Sequence, residues 1–261
     1  MIRGEVGNTG IAYCDDGPRD RPAIVFSNSL GTDHRLWDAQ MPAVLDRCRV
    51  IRYDACGHGA SDPPRGRVTI ESLSNDLVAL LDHLELERIV LCGCSLGGVI
   101  ALWMCVNHPE RVRGAVLANT GAKVGTDESW NTRIAAVREA GTASVASRVV
   151  GRFLTEEFRL GNTTVTSLIT GMLLATDPAG YVAACEALRE IDLRPVAPTV
   201  RAPTLIVGSD RDESTPPALA RDLHASIPGS ELVIIPGAAH LSNVERPDLF
   251  NASLVRFLDR L

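Results

Sequence analysis

The chain has 261 residues, of which 45% are hydrophobic and 22% are charged. This apolar content is enough for a large core, and it excludes a disordered or fibrous protein. The net charge is −6, and the 26 lysines and arginines are scattered along the chain and form no basic stripe. Nucleic acid is therefore not expected as a partner.

Apolar runs of strand length recur along the chain, and they are continuous, as is typical of parallel strands that are buried on both faces. They lie at residues 23–26, 50–53, 89–92, 115–118, 205–207 and 232–235. Between them, residues 70–84 and 249–258 carry apolar side chains at the spacing of an amphipathic helix. The alternation predicts an α/β fold with a mostly parallel, doubly wound sheet.

A helical insertion interrupts this alternation. Thr126, followed by two acidic residues, is typical of a helix start, and Trp130 and Ile134 would then share one helix face. Further helical patterns occupy residues 144–153 and 177–188, and no strand run lies among them. We therefore expect three segments: a first part of the core at 1–120, a helical cap at 121–195, and a second part of the core at 196–261.

The cysteines and the N-terminal sequence bear on the location of the protein. The seven cysteines are odd in number and several lie within apolar runs, which predicts reduced thiols in a core and a cytoplasmic protein. The N-terminal residues lack the apolar segment of a secretory signal. Residues 89–106 approach the length of a membrane span, but three glycines and Ser95 interrupt them. We therefore expect a buried strand that turns into a buried helix, and no membrane association.

Residues 93–97 match the pattern G-x-S-x-G between a predicted strand and a predicted helix. Such a sharp turn needs Gly93 and Gly97, because a Cβ at either place would clash, and it exposes the Ser95 hydroxyl above the carboxyl edge of the sheet. Ser95 is therefore the candidate nucleophile. Cys94 has to be only small or apolar, so we interpret it as a packing residue and not as a redox-active thiol.

A serine nucleophile needs a base, and the sequence contains six histidines. His240 follows the last strand run, which places it at the same edge of the sheet as Ser95, and it is the preferred base. His58 also follows a strand run, and we interpret it as a residue that stabilises its glycine-rich turn. The others are His34, His83, His108 and His224.

The base in turn needs an orienting acid, and three carboxylates follow the strand run at 205–207. They are Asp210, Asp212 and Glu213, and the chain order nucleophile, acid, histidine fits each of them. Asp212 is favoured by its spacing to the following Thr215. Asp210 remains the alternative.

Two backbone amides would hold the oxyanion that forms during acyl transfer. One is the N–H of Leu96, directly after the nucleophile. The other is expected from the loop after residues 23–26, where the N–H of Leu30 is the candidate and the Ser29 hydroxyl could assist. No zinc-ligand spacing, G-x-G-x-x-G or Walker sequence is present, so neither a metal nor another cofactor is expected.

Motifs along essentially the whole chain resemble those of the α/β-hydrolase family and, within it, of the enol-lactonase group. They are SNSLGTD at 27–33, RYD at 52–54, GHGAS at 57–61, LANT at 117–120, WNTRI at 130–134 and AHLSN at 239–243. Cys94 and Leu96 differ from the usual neighbours of the nucleophile, and the loop to Asp212 is one residue longer than usual, which keeps Asp210 open as the acid. The resemblance implies a serine hydrolase that opens 3-oxoadipate enol-lactone through an acyl-enzyme, in the catabolism of aromatic acids.

The substrate that the resemblance implies is a small anionic lactone, and a protein of net charge −6 must meet its carboxylate with a local cation. Arg133 lies one helical turn after Trp130, so the two side chains can share a face that turns toward the cleft. Lys123, where the cap begins, is a second candidate.

Other functions fit the same residues. A general carboxylesterase or a cofactor-free perhydrolase would use the same nucleophile, base and acid. A receptor that binds a small molecule without hydrolysing it is a more remote alternative. A serine at position 95 argues against dehalogenases and epoxide hydrolases, which use a carboxylate nucleophile.

Overall fold

One mixed sheet forms the centre of the computed structural model, which describes residues 1–6 and 9–261. Its strands are β1 (Ile2–Val6), β2 (Thr9–Asp16), β3 (Ala23–Ser27), β4 (Arg49–Tyr53), β5 (Ile89–Cys94), β6 (Val112–Ala118), β7 (Thr204–Ser209) and β8 (Glu231–Ile235). Their order in the sheet is β1-β2-β4-β3-β5-β6-β7-β8. The pairs β1–β2 and β2–β4 are antiparallel, and all the others are parallel. The mostly parallel α/β sheet predicted from the sequence is therefore confirmed.

The six predicted strand runs all lie in the parallel part of the sheet. Every residue of β3, β5 and β7 is buried, and since successive side chains point to opposite faces, both faces of the sheet are covered there. The edge hairpin of β1 and β2 was not predicted. Its strands contain glycines and, at the end of β2, two aspartates, and so they lack the continuous apolar run of a central strand.

Helices follow most strands. In the described part of the chain they are α1 (Met41–Val44), α2 (Ile70–His83), α3 (Leu96–Asn107), α4 (Asp127–Ala140), α5 (Ala143–Phe153), α6 (Glu156–Gly161), α7 (Thr163–Ala175), α8 (Pro178–Glu190), α9 (Pro217–Ser226), α10 (Ser242–Glu245) and α11 (Pro247–Leu258). Short 3-10 helices occupy His34–Gln40, Pro109–Arg111 and Ala197–Thr199. The apolar stretch at 89–106 is β5 followed by α3, as expected, and α3 packs against β3, β5 and β6.

Five consecutive helices, α4 to α8, lie between β6 and β7, and we call them the helical segment. Its helix α4 packs against α5 and α8, and α5 packs against α7. The predicted helix start is present, because the Thr126 hydroxyl accepts a hydrogen bond from the Ser129 N–H in a capping box. Helices α6 and α7 were not predicted. The β-branched residues of α7 disfavour a helix, and packing against α5 and α6 stabilises α7. The division of the chain into a core and a cap stays a prediction.

The lengths and compositions of the described helices decide whether any of them could cross a membrane. None of them is long and apolar enough to do so alone, and α7 and α8 meet the criteria of length and composition only as a pair that is bent by 91°. All seven cysteines are free thiols, and all except the half-buried Cys56 are buried. They therefore pack in the interior, as the sequence predicted.

Candidate active site

Ser95 lies in the sharp turn between β5 and α3. Its φ of 54° and ψ of −111° are strained values for a residue with a side chain. A Cβ on Gly93 would lie 2.0 Å from the Gly97 carbonyl oxygen, and a Cβ on Gly97 would lie 2.1 Å from the Ser27 carbonyl oxygen. Both glycines are therefore required by close backbone contacts, as the motif predicted.

The same turn holds the loop after β3 against the start of α3. The Gly97 N–H donates a hydrogen bond of 3.0 Å to the Asn28 carbonyl, which brings the Ser29–Leu30 segment close to Ser95. The Leu96 N–H is the first amide of α3 and has no acceptor within the helix. The predicted oxyanion donors are the amides of Leu30 and Leu96. They belong to the two backbone segments that this hydrogen bond holds together, and Leu30 lines the same cavity as Ser95.

His240 and Asp212 form a buried pair. The His240 Nδ1 lies 2.9 Å from Asp212 Oδ2, and both side chains are shielded from solvent. His240 also lines the same cavity as Ser95. The Ser95 hydroxyl forms no hydrogen bond with another described side chain. Catalytic hydrogen bonds are often long before substrate binds and shorten only in the complex.

The carboxylate of Asp212 is held by donors on both oxygens. Oδ1 accepts from the N–H groups of Ser214 and Thr215, at 2.8 and 2.9 Å. Oδ2 accepts from the Thr215 hydroxyl at 2.7 Å and from the Asn119 amide at 3.0 Å. Burial alone would raise the pKa of Asp212, but His240 and Thr215 outweigh it, so its pKa lies below the ordinary value. Asp212 is therefore ionised at neutral pH.

The other candidates for the acid and the base lie elsewhere. Asp210 is exposed and accepts a hydrogen bond from the Gly237 N–H. His58 is buried, and its Nδ1 donates to the Cys56 carbonyl within its own turn at 3.1 Å. Of the six histidines, all of which the structure describes, only His240 lines the cavity.

Burial lowers the pKa of His58 below its usual 6.5, against the opposing effects of the Cys56 carbonyl and nearby aspartates. The folded protein therefore holds His58 neutral at a pH where the unfolded chain binds a proton. Its contribution to stability is complete above pH 6.5 and is lost as the pH falls below that value. We expect the free energy of unfolding to fall on this account by up to about 1.4 kcal/mol per pH unit.

Urea unfolding between pH 7.5 and pH 5.5 would measure this slope. His58→Gln should flatten it, whereas Arg221→Gln, at an exposed position on α9, should not, because it leaves every imidazole in place. An unchanged slope in His58→Gln would show that other groups cause the loss of stability.

A cavity of about 370 Å³ opens between Ser95 and the helical segment. Trp130 and Arg133 both line it, and the Arg133 guanidinium lies 5.1 Å from the centre of the Trp130 ring. Ser29 also lines it, with a buried hydroxyl that has no hydrogen-bond partner among the described residues. Lys123 does not reach it, since its ammonium donates to the Arg189 carbonyl. Lys123 therefore has a structural contact in place of the predicted contact with substrate.

Helix α5 supplies cavity residues that were not predicted. Arg148, Arg152 and Phe153 line the cavity. The Phe153 ring stacks on the His240 imidazole, with 5.3 Å between ring centres and 25° between planes. The Phe153 carbonyl also accepts a hydrogen bond of 2.9 Å from the Leu241 N–H. The sequence did contain a signal for these residues, because two arginines lie four residues apart, on one face of the predicted helix.

One group of side chains has the composition of a metal site. Asp33, His34 and Asp54 place possible ligand atoms within 4.8 Å of one another. Both oxygens of Asp33 accept hydrogen bonds from the Arg35 guanidinium, however, and Asp54 accepts from the N–H groups of His34 and Ala60. These oxygens are already satisfied, so the group fits a structural role in holding the loops after β3 and β4.

The chain is similar to known hydrolases over nearly its whole length, and the α/β-hydrolase fold family model matches residues 22–247. Two 3-oxoadipate enol-lactonases of Acinetobacter baylyi are 36% and 35% identical, over 97% and 96% of this chain and 94% and 93% of theirs. The crystal structure of the enol-lactonase from Burkholderia xenovorans LB400 has a TM-score of 0.97 and 37% identity, and the match covers 99% of this chain and 100% of that one. The chain therefore belongs to the α/β-hydrolase family and is an ester-hydrolysing enzyme.

Proposed function

We propose that this hydrolase opens 3-oxoadipate enol-lactone to 3-oxoadipate, with Ser95 as nucleophile, His240 as base and Asp212 as the acid that orients the base. The observation that carries the proposal is one cavity that joins Ser95 and His240 to the cation of Arg133, which forms no ion pair with a described carboxylate. An ester-cleaving centre beside a cation suits a small lactone that bears a carboxylate. The similarity to enol-lactonases supports the same substrate.

The first half of the reaction forms an acyl-enzyme. Ser95 attacks the lactone carbonyl while His240 Nε2 takes the hydroxyl proton, and Asp212 stabilises the imidazolium through Nδ1. The N–H groups of Leu30 and Leu96 donate to the oxyanion that develops. The ring C–O bond then breaks, and the His240 imidazolium gives its proton to the leaving enolate oxygen, which leaves His240 neutral and the product end as an enol. An enolate is a better leaving group than an alkoxide.

The second half of the reaction releases the product. His240 takes a proton from water, whose oxygen attacks the acyl carbon and forms a second oxyanion on the same amides. The bond to Ser95 breaks, and His240 returns the proton to the serine oxygen. The product carries the carboxylate of the substrate and a new carboxylate, and its enol tautomerises to the ketone.

Ser29 has a place in this scheme. Its hydroxyl is buried at the cavity wall next to Leu30 and lacks a hydrogen-bond partner among the described residues. A buried hydroxyl without a partner costs free energy, and a substrate oxygen would supply the missing acceptor. Ser29 therefore adds a third donor near the lactone carbonyl.

The test of the proposal is a comparison of two substrates. We expect kcat/KM for 3-oxoadipate enol-lactone to exceed that for p-nitrophenyl acetate by several orders of magnitude. Ser95→Ala supplies the background rate. If the neutral ester is hydrolysed as well as the lactone or better, the protein is a general carboxylesterase and the proposed substrate is wrong.

Arg133→Gln should separate the anionic substrate from the neutral one. A charge-assisted contact with a carboxylate contributes about 1.5–3 kcal/mol, so kcat/KM for the lactone should fall by about 10- to 200-fold. Hydrolysis of p-nitrophenyl acetate, which has no carboxylate, should change less than about twofold. Arg221→Gln, at an exposed position on α9, is the matched control. Equal losses on both substrates would contradict the carboxylate contact.

A further inference from the structure

Two arginines on α5 face the cavity without a partner. Arg148 and Arg152 are four residues apart, so they lie on one face of the helix, and both line the cavity. Neither forms an ion pair or a hydrogen bond with any described residue, although many other arginines of the chain pair with carboxylates. Like charges at this spacing repel each other, so the pair destabilises the helix. No ion pair or hydrogen bond with a described residue offsets this cost.

The cavity as a whole carries excess positive charge. Arg133, Arg148 and Arg152 line it, and among the described residues that line it Glu128 is the one carboxylate. Burial raises the pKa of Tyr181 to about 12, and the charges of Arg133 and Arg148 both oppose this rise. The two guanidinium groups therefore act on the same buried hydroxyl. In a chain of net charge −6, this local excess of cations indicates a ligand with more than one negative charge.

The position of α5 indicates where the second negative charge would lie. Arg152 directly precedes Phe153, whose ring stacks on the His240 imidazole. The end of α5 that carries Arg152 therefore lies beside the place where ester cleavage leaves a new carboxylate. A lactone with one carboxylate needs one cation, and Arg133 provides it. The opened product has two carboxylates.

We propose that Arg148 and Arg152 form a second carboxylate subsite, so that the cavity binds a dicarboxylate between this pair and Arg133. This inference rests on the proposed function, which supplies the second carboxylate when the lactone opens. The pair stabilises the charge that forms in the last step, and it makes the enzyme subject to inhibition by its own product and by other dicarboxylates of similar length.

Titration calorimetry with adipate and hexanoate tests the subsite, because the two ligands share six carbons and differ in one carboxylate. We expect the wild-type protein to bind adipate at least about tenfold more tightly than hexanoate, and Arg148→Gln/Arg152→Gln to lose most of this preference. Arg221→Gln/Arg256→Gln removes the same charge at exposed positions outside the cavity and should keep it. Both arginines of α5 are exposed, so their replacement should not impair folding.

Two results would overturn the subsite. One is a wild-type protein that binds adipate no more tightly than hexanoate, or not at all. The other is an undiminished preference for adipate in the α5 double variant. Lactone hydrolysis, measured on the same preparations, separates this inference from the proposed function. Turnover of the lactone without a preference for adipate refutes only the subsite, whereas a preference that depends on α5 without lactone turnover refutes only the substrate.

Discussion

Replacing Ser95 by alanine is expected to lower kcat by about 10⁵- to 10⁶-fold on the lactone and on simple esters. The reason is that Ser95 carries the oxygen that attacks the substrate in the proposed mechanism. Among the described residues, no cysteine and no other serine has the positive φ of this turn. Alanine keeps the Cβ, so the strained backbone and the contacts of Gly93 and Gly97 are unchanged. The unfolding temperature should therefore shift by less than about 2 °C.

The measurement is steady-state hydrolysis of both substrates together with a thermal unfolding curve. Ser167→Ala, at an exposed position on α7 outside the cavity, should retain full activity. A Ser95→Ala protein that is folded and keeps more than about a tenth of wild-type kcat would place the nucleophile elsewhere. The oxyanion amides and the substrate contacts would then need a new assignment as well.

The parallel sheet was predictable because its strands are buried on both faces. A continuous apolar run such as residues 89–92 is a strong signal, and the structure extends it to Ile89–Cys94. The β1–β2 hairpin gives a weaker signal because an edge strand alternates and tolerates glycine and aspartate. Helix α7 was missed for a related reason, since its threonines and valine favour strands unless neighbouring helices bury them.

The residues at the carboxyl edge of the sheet were predictable from topology. Parallel strands end at one edge, so Ser95 after β5, Asp212 after β7 and His240 after β8 had to approach one another. Strand order alone could not distinguish His240 from His58, which follows β4. The distinction depends on the direction of each ring, and the ring of His58 turns back to the Cys56 carbonyl.

Contacts between distant segments explain what the sequence did not reveal about the cavity. The stacking of Phe153 on His240 joins residues that are far apart in the chain, and no local pattern encodes it. The same contact places Arg152 at the cavity. Lys123 is the opposite case. Its position just before the helical segment suggested a cavity residue, but its ammonium donates to a carbonyl at the end of α8.

Asp212→Asn should lower kcat by about 10⁴-fold, although the asparagine has nearly the same shape. Five hydrogen bonds converge on the carboxylate. Four of the donors are N–H groups, which need an acceptor, and the fifth is the Thr215 hydroxyl, which can rotate. If the asparagine NH₂ replaces Oδ2, it faces His240 Nδ1 as a donor, and the imidazole must carry its proton on Nε2. A ring in this tautomer cannot accept the Ser95 proton. If the NH₂ replaces Oδ1, it opposes the N–H groups of Ser214 and Thr215.

Asp210→Asn is the matched control, because it makes the same change two residues earlier in the same loop. Asp210 is exposed, and its one hydrogen bond with a described residue comes from the Gly237 N–H, to which an asparagine oxygen can also bond. We expect its kcat to stay within about threefold of the wild-type value. Steady-state kinetics of both variants decide between the two acids that the sequence left open. A loss in Asp210→Asn as large as that in Asp212→Asn would contradict the assignment, whereas a loss confined to Asp212→Asn would show that the carboxylate on His240 Nδ1 maintains the tautomer that the reaction needs.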